Sequence, residues 1–253
     1  MMTIVYSIQS EWLKRKGSLA SWLVIIGAFF SPTLFTFIQI FRPEKLPERY
    51  ASADFWEGFY RNAWQPMNML LLPMGIILAI SLLTQLEYKN NAWKQVHTSP
   101  QSLATIFFAK FAVVIAMEIE LFLLFNVAVY LSALIPSLVL GSVSYPTQTF
   151  PWMFVVNQSA VYFVESLPIV AIQFLLALRF RNFLVPVGAG IILLMVSILL
   201  ISWEYIYVYP YGYASLTMLN RFPDINLPTW AAGWFAVIMV AAFALYVTKN
   251  DKG

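Results

Sequence analysis

Four stretches without a single Asp, Glu, Lys or Arg limit what this chain can fold into: Lys16 to Arg42, Arg61 to Glu87, Arg181 to Glu204 and Asp224 to Lys249. Each is about 22–25 residues long, enough for a helix rising 1.5 Å per residue to cross about 30 Å of hydrocarbon. At that depth the backbone must satisfy its own hydrogen bonds. These runs lack the apolar–polar alternation of barrel strands, so the pattern predicts helices. By the length a crossing needs, the spans fall at roughly 19–41, 67–86, 183–203 and 229–248.

The middle of the chain holds two more. Between Lys110 and Arg179 the only charges are Glu118, Glu120 and Glu165, and the stretch is too long for one crossing. Pro136, Gly141, Pro146 and Pro151 cluster halfway, with Ser137, Ser142 and Ser144 among them, which is turn chemistry. Spans are therefore expected at about 108–134 and 153–178, joined by a charge-free outer loop. The resulting fold class is all-α integral membrane, with residues 1–253 forming a single six-span domain. Composition agrees: 60% of residues are hydrophobic and 11% charged, where a soluble domain carries about 25% charged. The absence of cysteine excludes a disulfide framework, thiolate metal sites and a cysteine nucleophile.

Loop cations set the expected topology. Ten Lys and Arg fall on the side of the termini (Lys14, Arg15, Lys16, Lys89, Lys94, Lys110, Arg179, Arg181, Lys249 and Lys252) and five on the other (Arg42, Lys45, Arg49, Arg61 and Arg221). Both termini are then cytoplasmic, and a bacterial plasma (inner) membrane is the simplest location. The net charge of +3 belongs to this topology and gives no reason to expect nucleic acid. The first eighteen residues are too polar for a cleaved signal, so span one is read as an uncleaved anchor.

Several pieces lie outside the hydrocarbon. Ile4, Val5, Ile8 and Trp12 share one side of a helix ahead of Lys14-Arg15-Lys16, which predicts an interfacial helix with its cations near lipid headgroups. The alternative is a disordered basic tail. In the first outer loop, Phe55, Trp56, Phe59, Tyr60 and Trp64 alternate with charges, suggesting a short amphipathic helix anchored at the outer leaflet. The last outer loop, about 204–228, alternates tyrosines from Tyr205 to Tyr213. Re-entrant and belt-like conformations both suit it.

The connection after span two is unlike an ordinary turn. It runs from Glu87 through Asn90-Asn91-Ala92 and Trp93-Lys94 to Ser99-Pro100, with Lys110 beyond. Serine followed by proline suits an N-cap with proline at the first helical position. A short amphipathic helix exposing Trp93 would make a docking knob for a soluble partner; the plainer reading leaves Trp93 at the membrane interface.

Taken together, these features resemble the permease subunits of ABC type-2 exporters, most closely the branch associated with lantibiotic and bacitracin immunity. Such chains have about six spans in a similar length, cytoplasmic termini and an amphipathic elbow helix with an acid and a basic cluster, matched here by Glu11, Trp12, Lys14 and Arg15. The resemblance implies that Glu87, Asn91, Trp93, Lys94 and Pro100 belong to a coupling helix that sits in a groove of the ATPase subunit. Many relatives have a glycine a few residues after the acid, where this chain has Asn90-Asn91-Ala92. The resemblance further implies a second permease copy or homologue and cytoplasmic P-loop ATPase subunits that bind ATP and Mg, with no cofactor in this chain. Its implied cargo is amphiphilic: an antimicrobial peptide, an antibiotic or a lipid.

The residues themselves offer no catalytic constellation. No GxxxxGK[ST] loop occurs, so ATP is not bound here in that way. The single histidine, His97, has neither an HExxH setting nor a carboxylate cluster, and no Asp lies within an expected span. The chain is read as a non-enzyme. Within the spans, Gln158, Tyr162, Glu165 and Gln173 fall on one narrow helical stripe, which should face the bundle interior or a partner permease. Glu118 and Glu120 lie about 200° apart on their helix and cannot face the same neighbour. Ionisable groups at this depth are costly unless paired, protonated or wetted, so these residues form either the wall of a substrate path or helix-packing clasps. Pro32, Pro73, Pro168 and Pro186 fall within spans and should bend them. The competing class is a stand-alone secondary transporter or channel, which would call for repeated halves or matching broken helices; neither is visible. A non-transporting scaffold is the third reading.

Overall fold

The structure is a computed structural model that describes residues 2–89, 101–141 and 143–250. It is 82% helical, and no strand occurs among the described residues. Helix α1, Met2–Arg15, leads through a turn at Gly17 into α2, Leu19–Phe41. Gly17 has φ +73°, a conformation glycine adopts without steric cost. Ser18 then caps α2 by accepting the Ser21 amide at 3.3 Å.

Beyond α2, a short 3₁₀ turn and α3, Leu46–Ala51, precede α4, Phe55–Pro66. Helix α4 is not a separate helix lying on a leaflet. It passes through a π turn, Met67–Leu71, directly into α5, Leu72–Lys89, and residues 55–86 form one long apolar rod. Pro73 cannot donate to the carbonyl one turn back, and the ladder widens into the π turn just before it. The aromatics expected at the lipid boundary instead point into the protein. Trp64, Tyr60 and Trp56 are all buried. Trp64 meets Phe125, Tyr162 and Phe122 at ring distances of 4.6, 5.0 and 5.2 Å.

Helix α6, Leu103–Leu140, is 38 residues long, about 57 Å at 1.5 Å per residue. It extends past the expected 108–134 at both ends. Its cap is Ser102, which accepts the Thr105 amide at 3.1 Å; Ser99 and Pro100, read as the start signal, lie outside the described residues. Pro136, read as part of the turn, lies within the helix, which ends at Gly141 with φ +60°. Helix α7, Trp152–Arg179, closely matches its expected span.

Helix α8, Leu184–Leu199, has only 16 residues, about 24 Å, against the 183–203 expected. Among the described residues, five helices are therefore long and apolar enough to cross a bilayer, with α8 a shorter sixth. Pro186 lies in the first turn of α8, where its missing N–H breaks no ladder bond, so it does not bend a span. The chain then folds back into the bundle through a 3₁₀ turn at Ile206–Val208 and α9, Tyr213–Met218, before α10, Leu227–Asn250. Ile206, Tyr211, Tyr213 and Leu216 are all buried. Tyr211 donates to Gln173 Oε1 at 3.5 Å, and Gln173 stands about 9 Å of helix from the Arg179 end of α7. The second half of the tyrosine-rich stretch thus folds into the bundle, while Tyr205 at its start stays exposed.

Helices α6 and α7 form the centre, while α2 and α10 lie mostly exposed at the periphery. At the end away from α1, Tyr50 donates to Ala133 O at 2.6 Å, Trp56 Nε1 to Gln148 O at 3.1 Å and Gln148 Nε2 to Tyr50 O at 2.9 Å. Burial raises the Tyr50 hydroxyl to about 12, with the Ser137 side chain partly opposing the rise, so it remains a donor at neutral pH.

Candidate functional site

Helix α1 packs in the opposite sense to the lipid-facing basic cluster expected. Its polar side faces α6 while Ile4, Val5, Tyr6, Trp12 and Leu13 are exposed. Ser7 donates to Gln101 Oε1 at 2.7 Å. Glu11 Oε1 receives both Lys14 at 2.7 Å and Lys110 at 3.2 Å. Arg15 is ion-paired with Glu120, and its guanidinium lies 4.0 Å from the Trp12 ring centroid. Partner acids on two helices, rather than headgroups, therefore hold Lys14 and Arg15. The apolar stripe is free to rest in lipid, so the interfacial part of the expectation is compatible with this packing.

This clasp adjoins the connection singled out in the sequence. Glu87 lies in the last turn of α5; Asn91, Trp93, Lys94 and Pro100, with His97, lie outside the described residues. Gln101, the first described residue after them, is the one bonded to Ser7 of α1.

Within the bundle, Glu118 and Glu120 turn to different neighbours: Glu120 to Arg15 of α1, and Glu118 to the Ser166 hydroxyl of α7. Gln173 gathers three elements. Its Nε2 donates to Ser81 Oγ at 2.9 Å on α5 and to Pro186 O at 2.8 Å on α8, while its Oε1 accepts Tyr211. Gly190 permits this convergence, since a Cβ there would lie 2.7 Å from Gln173 Oε1 and 2.8 Å from Ile77.

Glu165 accepts the Thr217 hydroxyl of α9, and Tyr162 donates to Met218 Sδ at 3.7 Å. Tyr162, Glu165 and Gln173 are buried, whereas Gln158 at the start of the stripe is half-buried. All four still share a side of α7, but they do not meet as one site: Gln173 belongs to the α5–α8 junction, and Glu165 and Tyr162 to the region beneath α9. Sequence reasoning missed Asn68, Ser166 and Thr217. Asn68 carried a faint signal as a polar side chain inside an apolar run; Thr217 carried none, because only the re-entrant fold brings it to Glu165.

Membrane-length helices packed around an apolar core with a few buried polar side chains define a multi-pass membrane protein. The chain belongs to the ABC-2 transporter family: the model described as ABC-2 family transporter protein matches residues 7–197, from the elbow helix through most of α8. No curated protein and no solved structure matches it significantly. Membership makes the chain an ABC transporter permease, a membrane component of a kind that generally pairs with ATPase subunits.

Proposed function

We propose that this permease forms the membrane pathway of an ATP-driven exporter for an amphiphilic cargo, such as a membrane-active peptide, an antibiotic or a lipid, as in the lantibiotic and bacitracin-immunity branch it resembles. Cytoplasmic P-loop ATPase subunits supply the nucleotide site and dock on the connection carrying Glu87, Asn91, Trp93, Lys94 and Pro100, and a second permease copy or homologue completes the pathway. The ten-to-five bias of loop cations supports a bacterial plasma membrane location with α1, both termini and this connection on the cytoplasmic side.

The observation that carries the reading is the clasp between α1 and the start of α6. Its Ser7–Gln101 bond lies one residue beyond the docking segment, and its ion pairs reach Lys110 and Glu120. A push delivered to that segment would thus pass into α6, the longest helix of the bundle. Family membership weighs against a stand-alone carrier.

The test is affinity purification in detergent followed by identification of a co-purifying P-loop ATPase. Trp93→Ala and Glu87→Ala should each lower ATPase recovery or coupled hydrolysis by about 30-fold or more, the size of a lost interface hot spot, without removing the permease from the membrane. Normal recovery and coupling in both variants would reject the docking assignment.

A further inference from the structure

The region beneath α9 contains polar groups that the fold leaves unanswered. Asn68 is 2% exposed, and its amide nitrogen and oxygen have no hydrogen-bond partner within 3.5 Å, the Tyr162 hydroxyl being the polar group that stands beside them. Glu165 is fully buried, and while one carboxylate oxygen accepts Thr217, the other has no partner. Buried polar atoms are almost always satisfied, so two such residues in one place call for a reason. They are close neighbours: both stand against the Tyr162 side chain, and α9 touches all three residues. Ser215 donates to the Asn68 carbonyl at 3.1 Å, Thr217 to Glu165, and Met218 accepts Tyr162. Asn68 also lies in the π turn, a local widening frequently found at functional sites.

The chemistry of the unanswered atoms selects their ligand. Glu165 Oε2 and Asn68 Oδ1 both require donors, and a carboxylate requires positive charge as well. The Trp64 and Tyr162 rings, with centroids 5.0 Å apart, add π faces that attract a cation. Arg61 lies within electrostatic reach of Tyr162, but it is exposed, rests 5.2 Å from the Phe154 ring centroid and forms no ion pair with Glu165. Helix α9 closes the region through the Thr217 hydroxyl on Glu165 and the Met218 thioether on Tyr162, and an amine that takes over the carboxylate replaces the first of these with a charge-assisted bond.

We propose that Asn68 and Glu165 bind the protonated amine of an amphiphilic molecule when α9 withdraws, so that this transporter's cargo is a cationic amphiphile. The proposal rests on the amphiphile-export reading above and adds the charge and donor chemistry of the molecule carried. The amine's N–H groups answer Glu165 Oε2 and Asn68 Oδ1, its charge answers the carboxylate, and its apolar tail remains in the hydrocarbon.

The test uses the purified full-length permease in lipid nanodiscs at pH 7. Dicyclohexylcarbodiimide modifies buried carboxyl groups, and peptide mass spectrometry reads adducts at Glu165 and Glu118 separately. Dodecylamine should suppress modification of Glu165 about tenfold or more, with any dodecyl amide formed by amine capture of the activated carboxyl counted as modification, while leaving Glu118 unchanged; dodecanol and dodecyl sulfate should do neither. Asn68→Leu should raise the half-protective dodecylamine concentration about tenfold, the loss expected for a hydrogen bond to a charged group. A Glu165 that never reacts, no protection by the amine, or equal protection by dodecyl sulfate would each overturn the proposal. Because no ATPase subunit is needed, such a failure is separate from a failure of the docking reading, which the co-purification experiment measures.

Discussion

Removing the Arg15 side chain should release the elbow helix from the bundle, and the size of the effect follows from where the pair lies. The Arg15 side chain is 8% exposed and that of Glu120 30%, between the extremes for ion pairs. A solvent-exposed pair contributes about 0–1 kcal/mol, and orphaning one partner of a fully buried pair costs about 3–5 kcal/mol. Arg15→Ala is therefore expected to cost about 1–3 kcal/mol, including the lost stacking on Trp12. At 1.4 kcal/mol per tenfold, the undocked population of α1 rises about 5- to 150-fold. The chain has no cysteine, so Ser7→Cys places a single thiol at a position only 4% exposed beneath the elbow. Its labelling rate with a soluble maleimide follows the undocked population when opening is fast relative to labelling. Arg15→Ala in this background should accelerate labelling within that range, and adding Glu120→Ala should recover part of the change by removing the orphaned charge. A change below twofold, or effects of the two substitutions that merely add, would show that the pair does not hold the elbow.

Two further substitutions probe the packing directly. Gly190→Val should lower thermal stability in detergent by more than about 2 kcal/mol, because the added atoms meet Gln173 and Ile77 where space is lacking; Gly188→Ala, with nothing within 4 Å, should change it by less than about 0.5 kcal/mol. Tyr50→Phe removes the donor to Ala133 O and should cost about 1–2 kcal/mol in the same assay, since that carbonyl loses a buried partner; an unchanged melting point would mean the contact contributes nothing.

The charge-free runs and the helix-length arithmetic were enough to read an all-helical membrane protein and to place α2, α7 and α10 within a few residues of their observed bounds. These features are local: a missing charge over twenty-odd residues has one meaning in lipid whatever the neighbours do. Helix ends were less legible. Pro136 looked like a turn residue beside Gly141 and Pro146, yet α6 continues through it to the glycine with positive φ, because neighbouring helices can stabilise a turn that lacks one ladder bond.

By itself, then, the sequence determined that the chain lives in a bilayer, how many crossings to look for, that it carries no nucleotide loop, and that Glu118, Glu120 and Glu165 needed partners, protonation or water. It did not say which partners, since amphipathic periodicity gives the angle of a side chain on its own helix but not the identity of the surface opposite. Only the tertiary structure turned Arg15 toward Glu120, drew Trp56, Tyr60 and Trp64 inward, and folded the chain after α8 back so that Tyr211 reaches Gln173 and Thr217 reaches Glu165. Those choices depend on contacts between residues far apart in the chain, where packing and hydrogen-bond satisfaction override any local preference.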